Sequence, residues 1–243
     1  MSKRLSLLVL FVVVMSAVVM PAAAQETQSI AYGESVEGVM SNTAFEFEYT
    51  FEGEEGDIVA ADVRLAESGA FGTPELFLLG PDGDTLIEFT GFIRLGEALV
   101  FAQLPESGEY TVILTRRDGR SGDDEGAFVF SLYQPQILTP GESVDGEINI
   151  DTGNQYYAIE GGAPATLRYS WSDANSSVPT FRVYAYEDVA PAAAVVTRYP
   201  EIGGSVVVDG SEPFYLLAVE YEQSSLVIYG DWETEYTVEY LAD

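Results

Sequence analysis

The sequence lacks most of the side chains that enzymes use for catalysis. It contains no cysteine and no histidine, and its only lysine is Lys3. A Ser-His-Asp triad needs an imidazole, a Ser-Lys dyad needs a lysine, and thiol catalysis needs a cysteine. Zinc and copper sites also lose their usual nitrogen and sulfur ligands. We therefore expect a protein that is not an enzyme, and carboxylates are the main catalytic groups left to it.

The absence of cysteine also means that no disulfide can hold the fold together. The chain has 243 residues, of which 47% are hydrophobic and 12% aromatic. This composition can form a sizeable hydrophobic core, which must then supply the stability that disulfides give many small exported domains.

Basic residues are scarce and acidic residues are abundant. The chain has 40 Asp and Glu against 10 Lys and Arg, which gives a formal net charge of −30. A surface of this sign repels nucleic acid and anionic lipid, and it keeps a protein soluble. We expect neither nucleic acid nor a membrane surface as a partner.

The first 24 residues have the pattern of a secretory signal peptide. Lys3 and Arg4 precede an apolar run from Leu7 to Met20, and Ala22-Ala23-Ala24 supplies small residues at a cleavage site. The run is too short for a comfortable membrane span. The sequence thus predicts a secreted protein, extracellular or periplasmic, with no membrane insertion after cleavage.

The rest of the sequence alternates between apolar and polar residues, as β-strands do. In the stretch from Phe45 to Glu52, four aromatic residues alternate with three Glu and one Thr. Only an extended strand places these two sets on opposite faces. Similar short stretches recur between turns rich in Gly, Pro and Asp, and none shows a helical stripe. This pattern predicts an all-β protein.

A short phrase occurs twice and indicates a duplicated domain. Gly33 begins the sequence GESVEG and Gly141 begins GESVDG, an offset of 108 residues. The strand 128–132 matches 236–240 at the same offset. We expect two tandem β-sandwich or jelly-roll domains, residues 25–134 and 135–243, joined by a short linker at Gln134–Pro140.

The first copy resembles the bacterial pre-peptidase C-terminal domain family, a β-sandwich module found on many secreted peptidases. The resemblance spans residues 30–133. It consists of GESVEG from Gly33, the aromatic strand, GDIV from Gly56, LFLLGPDG from Leu76 and LPESGEYTV from Leu104. The second copy keeps the opening and the last strand but departs from the family pattern between them.

The resemblance implies an accessory role, since in that family the module accompanies an enzyme and is not itself the peptidase. It implies help with secretion, maturation or substrate binding. The chain is too short for an added peptidase domain, so the resemblance predicts a free-standing accessory protein. Its expected partner is an extracellular polysaccharide, the cell envelope or another protein.

Two acidic clusters in the first copy are candidate calcium sites, because Ca²⁺ binds six to eight oxygen ligands. Some members of the resembled family bind calcium. One cluster lies in a Pro-Asp-Gly turn and the other precedes the last strand of the copy. The candidate ligands are Asp82, Asp84, Asp123, Asp124 and Glu125. Neither cluster has the spacing of an EF-hand loop, and such pairs also occur in ordinary turns.

Aromatic residues in the second copy offer a candidate ligand-binding face. In the strand Thr180–Tyr186, Arg182, Tyr184 and Tyr186 share one face. If exposed, this face could stack against sugars or pack on a protein. The other interpretation is that these residues belong to the core or to the interface between the domains.

Three hypotheses about function remain open on the sequence alone. The first is a secreted, non-catalytic binding or accessory protein. The alternative is a calcium-stabilised structural or adhesive subunit. The third, more distant, is a carbohydrate-active enzyme with a pair of carboxylates.

Overall fold

The computed structural model is almost entirely β-strand. It describes residues 27–65, 73–89, 97–149, 153–171, 179–186, 193–195, 203–220 and 233–241. Alternation in the sequence also predicts a strand at Ser225–Tyr229, and both this segment and the predicted signal peptide lie outside the described residues. Among the described residues, none forms a helix with the length and apolar character that a membrane crossing would require.

The first part of the chain forms nine strands in two sheets and one short 3₁₀-helix, Gly119–Ser121. The strands are β1 (Gln28–Ser29), β2 (Ser35–Met40), β3 (Glu46–Gly53), β4 (Ile58–Leu65), β5 (Pro74–Leu79), β6 (Thr85–Phe89), β7 (Ala98–Gln103), β8 (Gly108–Arg116) and β9 (Gly126–Tyr133). Their order is β1-β3-β8-β5-β6 in one sheet and β2-β9-β4-β7 in the other.

The next nine strands repeat this arrangement. They are β10 (Gln136–Leu138), β11 (Ser143–Asn149), β12 (Gln155–Glu160), β13 (Ala165–Trp171), β14 (Thr180–Ala185), β15 (Ala193–Val195), β16 (Gly203–Val208), β17 (Phe214–Glu220) and β18 (Glu233–Leu241). Their sheets have the orders β10-β12-β17-β14-β15 and β11-β18-β13-β16. The two sheet orders are identical when each strand number is raised by nine, so the predicted fold class, two tandem β-sandwich domains, is confirmed.

The offset of 108 residues also appears in the strand register. Gln28 pairs with Tyr49 in the first domain, and Gln136 pairs with Tyr157 in the second. These first pairings are parallel in both domains, whereas the other strand pairs are antiparallel. The repetition therefore extends from the sequence to the hydrogen-bonding pattern.

The repeated phrase has two structural roles in each domain. Its first glycine turns the chain with positive φ, 84° at Gly33 and 87° at Gly141, a conformation that glycine adopts at little cost. Its last glycine, Gly38 or Gly146, lies directly opposite an aromatic residue of the last strand. The ring lies over the glycine, so an added methyl group would collide with it.

Each sandwich encloses its own aromatic-rich core. In the first domain Tyr49 and Phe130 stack across the two sheets with ring centroids 4.2 Å apart. In the second, Tyr169 and Phe181 stack at 4.4 Å. Alternation within each copy of the repeated phrase predicts that Val36 and Val144 point inward. This is confirmed, since each packs against the core of its domain.

The prediction of a linker at Gln134–Pro140 was wrong in part. Residues Gln136–Leu138 form β10, which pairs with β12 and places Leu138 in the core of the second domain. The connection between the two sandwiches is therefore only Gln134 and Pro135. Such a short connection holds the domains close together.

Candidate functional site

The two domains meet through a third apolar cluster that belongs to neither core. It joins the outer face of the β4–β7 pair to the outer face of the β12–β17–β14 strands. Phe101 contributes from the first domain, and its ring centroid lies 5.9 Å from that of Phe214 and 6.2 Å from that of Tyr184. Tyr133 and Tyr156 meet edge to face at 4.8 Å. These contacts bury apolar surface on both domains and stabilise one relative orientation.

A buried polar group crosses the same interface. The carboxylate of Asp62, on β4, is 3% exposed and accepts hydrogen bonds from the Tyr156 hydroxyl and the Asn154 amide, both at 2.8 Å. Its other oxygen, Oδ1, is buried without a hydrogen-bond partner, and so is Nε of Arg64 on the same strand. The interface is therefore polar at this point but not fully satisfied.

Burial shapes the titration of this carboxylate. It raises the pKa of Asp62 from an ordinary 3.8 to about 6, with Tyr156, Asn154 and Arg64 opposing the rise and Glu220 adding to it. The pKa of Tyr156 is raised well above its ordinary value, first by burial and then by the nearby Asp62 charge. The phenol therefore stays protonated and donates to the carboxylate.

The predicted ligand-binding residues lie at this interface. As the alternation predicts, Phe181, Val183 and Ala185 enter the core, and Tyr184 and Tyr186 lie on the opposite face. Arg182 is paired with Glu220, and Tyr184 donates to Glu220 at 2.9 Å.

Arg182 is 8% exposed and Tyr184 1% exposed, with Tyr186 half-buried. The exposure that ligand binding on this face requires is therefore missing. The burial fits the other interpretation, an interface between the domains. Ligand binding by these three residues stays a prediction.

The first candidate calcium cluster forms an ordinary turn. Asp82 and Asp84 are exposed, and Oδ1 of Asp82 accepts a hydrogen bond from the backbone N–H of Asp84 at 2.9 Å. Gly83 between them has positive φ, 83°. The Asp side chain thus closes the turn in the way that Asx turns do.

The second candidate cluster is tied into the fold by its neighbours. Asp124 accepts from the backbone N–H of Thr73 at 3.3 Å, and Glu125 accepts from the side-chain amide of Asn42. Fully buried Arg116 donates to the carbonyl oxygens of Gly119 and Asp124 at 2.8 and 2.9 Å.

Asp123 is exposed. Within the described ranges, no three His, Cys, Asp or Glu side chains are grouped so that they could hold a metal ion. Calcium binding by either cluster stays a prediction.

A cavity of about 560 Å³ opens on the second domain, on the sheet that does not face the first domain. Residues 145–147, 170–171 and 235–237 line it, from the adjacent strands β11, β13 and β18. Gly146, Tyr236 and Trp171 form one row across these strands. Sequence alternation places these three toward the core and their neighbours toward solvent.

Negative charge dominates the walls of this cavity. Glu147 and Glu235 lie directly opposite each other on β11 and β18, and like charges in such a pair repel. Asp145 accepts a hydrogen bond from the Thr237 hydroxyl at 2.7 Å, and Glu147 accepts from the amide of Asn149 at 2.6 Å. Both of these described partners are neutral, so neither of them compensates the negative charge.

One buried polar group beneath the cavity is unsatisfied. Trp171 is 5% exposed, and its indole N–H has no hydrogen-bond partner. Its ring lies in the core of the second domain and stacks on Phe181 of the opposite sheet. A buried donor without a partner costs free energy, roughly 1–3 kcal/mol, but this donor belongs to the core rather than to the solvent face that the carboxylates share.

The sequence contains signals for both the domain interface and the cavity, but the alternation within single strands does not reveal them. In β17 all seven residues are buried, and in β7 five of six are. A continuous apolar strand indicates a sheet covered on both faces, which here means the domain interface. The cavity needs the register, because only the pairing of β11 with β18 brings Glu147 opposite Glu235.

Comparison with known proteins finds similar folds but no family. No protein-family model matches the chain, and no curated protein sequence matches it. Among solved structures, the chain is similar to the pre-peptidase C-terminal domain of collagenase from Bacillus anthracis. The identity is 15% and the TM-score 0.35, over 44% of this chain and 95% of that one.

Two further structures show similarity at the same low level. One is PliG from Aeromonas hydrophila, a periplasmic inhibitor of g-type lysozyme, at 15% identity and TM-score 0.29, over 44% of this chain and 95% of that one. The other is the CBM22-1–CBM22-2 tandem from Paenibacillus barcinonensis Xyn10C, at 9% identity and TM-score 0.22, over 80% of this chain and 82% of that one. No function is transferred from these proteins.

Proposed function

We propose that this chain is an exported, non-catalytic binding protein that acts outside the cytoplasm, in the extracellular or periplasmic space. Its two domains, residues 25–134 and 135–243, are both pre-peptidase C-terminal-like modules, and the second has diverged. The ligand is an extracellular polymer, the cell envelope or a protein, and it binds in the cavity of the second domain.

The cavity with its opposed carboxylates, Glu147 and Glu235, is the observation that carries this proposal. Its volume falls within the few hundred to a thousand Å³ typical of ligand sites. It combines acceptors at Glu147 and Glu235 with the exposed hydroxyl of Ser170. Because the two domains pack against each other through the interface, this surface has a fixed position relative to the first domain.

The non-catalytic part of the proposal is supported by where the buried carboxylates lie. Among the described residues, Asp62 and Glu220 are the buried acids, and both are in the domain interface. Glycoside hydrolysis needs two carboxyl groups on either side of a bound sugar. A pair enclosed between two domains has no room for one, and Glu147 and Glu235 are cross-strand neighbours on one sheet face rather than groups on either side of a sugar.

The test is a binding screen with a blocked cavity as its control. Exposed Ser170 lines the cavity, and Ser170→Trp should fill part of it without disturbing the core. Neutral polysaccharides, cell-wall fragments and peptides are screened against both proteins by calorimetric titration. We expect one class to bind the unmodified protein and to bind Ser170→Trp at least tenfold more weakly; equal binding to both would place the site elsewhere.

A further inference from the structure

The strand beside the cavity has a free edge. β11 is the terminal strand of its sheet, pairing with β18 on one side and with no described strand on the other. Its outward residues Ser143, Asp145 and Glu147 are exposed. An edge of this kind offers backbone N–H and C=O groups to an added strand, and acidic side chains on it repel most chains that could pair there.

The charges at this edge select one kind of added chain. In the described part of the second domain, Arg168 pairs with Glu239 and Arg182 pairs with Glu220, so neither neutralises the cavity. Among the described residues, no Arg is therefore paired with Asp145, Glu147 or Glu235. A basic side chain would relieve the repulsion between the two opposed glutamates.

The cation is a side chain rather than a metal ion. The carboxylates of the cavity are not among any group of three that could hold a metal within the described residues. Lys and Arg carry their charge on a long stem and can bridge acceptors that are farther apart. A cavity of about 560 Å³ has room for such a side chain together with its backbone.

The free edge points to a peptide as well. An extended peptide offers backbone N–H and C=O groups to the unpaired side of β11. A basic peptide thus supplies hydrogen bonds for the edge and positive charge for the carboxylates. We propose that the cavity and the β11 edge receive an extended segment of a protein partner with Lys or Arg at alternate positions.

This inference rests on the proposed function and names the partner's chemistry. It is tested with a fluorescein-labelled octapeptide of alternating Lys and Thr, and with the Glu-Thr octapeptide as its charge-reversed counterpart. Binding is followed by fluorescence anisotropy at low and high salt, because attraction between exposed charges weakens with ionic strength.

Two double variants separate the site from the general negative charge of the chain. Glu147→Gln with Glu235→Gln removes the opposed pair. Glu46→Gln with Glu52→Gln makes the same change of charge on exposed positions of β3 in the first domain. We expect binding of the Lys-Thr peptide to weaken roughly tenfold in the first variant and less than twofold in the second.

The outcomes distinguish this inference from the function on which it rests. Equal weakening in both variants would mean diffuse attraction and would overturn the inference. Binding of a neutral oligosaccharide that Ser170→Trp abolishes, without binding of the basic peptide, would also overturn it and leave the proposed function standing. If nothing in the screen binds, both fail. Melting curves of the variants, which should match the unmodified protein, verify that each is folded.

Discussion

Replacing Asp62 by asparagine should make the protein more stable at neutral pH and change nothing at acid pH. Asp62 is a buried carboxylate whose pKa is raised from 3.8 to about 6 in the folded protein. A group with a raised pKa favours folding most when it is protonated in both states, below pH 3.8. That contribution is lost as the pH rises through 6.

The size of the effect follows from the shift. About two pKa units correspond to roughly 3 kcal/mol between the two ends of the titration. Asparagine has the shape of the protonated acid but cannot ionise. We therefore expect Asp62→Asn to unfold with about the same free energy as the parent protein near pH 4, and with roughly 3 kcal/mol more near pH 7.

Urea unfolding of both proteins from pH 4 to pH 7 measures this directly. The chain has 40 acidic residues, and their titration moves the stability of both proteins together, so only the difference between the two curves is informative. The groups that face Asp62 are Arg64 and Tyr133 from its own domain and Tyr156 and Glu220 from the other. A difference that does not change with pH would refute this account of the interface.

Tyr156→Phe gives an independent check on the same carboxylate. The Tyr156 hydroxyl donates to Asp62 at 2.8 Å and lowers its pKa. Without it the pKa of Asp62 should rise further, so the stability lost by this variant should be larger at pH 7 than at pH 4. Loss of equal size at both would mean that the hydroxyl serves only in packing.

Three further changes test the fold, the interface and the acidic turns. Gly146→Ala should destabilise the second domain by about 1–3 kcal/mol, since the methyl group would collide with the Tyr236 ring; a loss below 0.5 kcal/mol in urea unfolding would contradict this. Phe101→Ala should cost about 3 kcal/mol by emptying the centre of the interface, whereas Val207→Ala, at the equivalent exposed position of the second domain, should cost less than about 0.5 kcal/mol. EDTA should leave the melting temperature unchanged, because no described carboxylates are grouped as a metal site; a fall on adding EDTA, reversed by Ca²⁺, would restore the calcium hypothesis.

Most strands can be predicted from the sequence because the alternation of apolar and polar residues is recognisable within a single strand. The alternation predicts strands at Ile58–Leu65, Thr85–Phe89, Gln155–Glu160 and Ala165–Trp171, and β4, β6, β12 and β13 have these bounds. The strands that were missed, β1, β10 and β15, have two or three residues each. A pattern with a period of two cannot be recognised in so few residues, and these strands exist because a neighbour supplies their hydrogen bonds.

The candidate sites were harder to predict because they depend on pairs of distant residues. Alternation correctly placed Arg182 and Tyr184 on the face opposite the core, but it could not say that a second domain covers that face. Asp62 cannot be singled out in the sequence, since it is one acid among 40 and has no distinguishing neighbour. Its contacts Asn154 and Tyr156 lie over 90 residues away.

The domain interface joins one sheet of the first domain to the other kind of sheet of the second. Each domain therefore keeps free the kind of sheet that the other domain uses in the interface. An interface of this head-to-tail type could continue from molecule to molecule. Its continuation would need the same apolar residues on both free faces.

The free faces carry polar residues where the interface has apolar ones. The register places Glu48 of the first domain where the second has Tyr156, and Glu109 where the second has Phe214. On the other free face the salt bridge between Arg168 and Glu239 is exposed. Stacking a further molecule in this way would remove these charged groups from water, and burying charges is costly even when they are paired. The same cost would keep the outer sheet of the second domain, with its cavity, free for the basic partner that we propose.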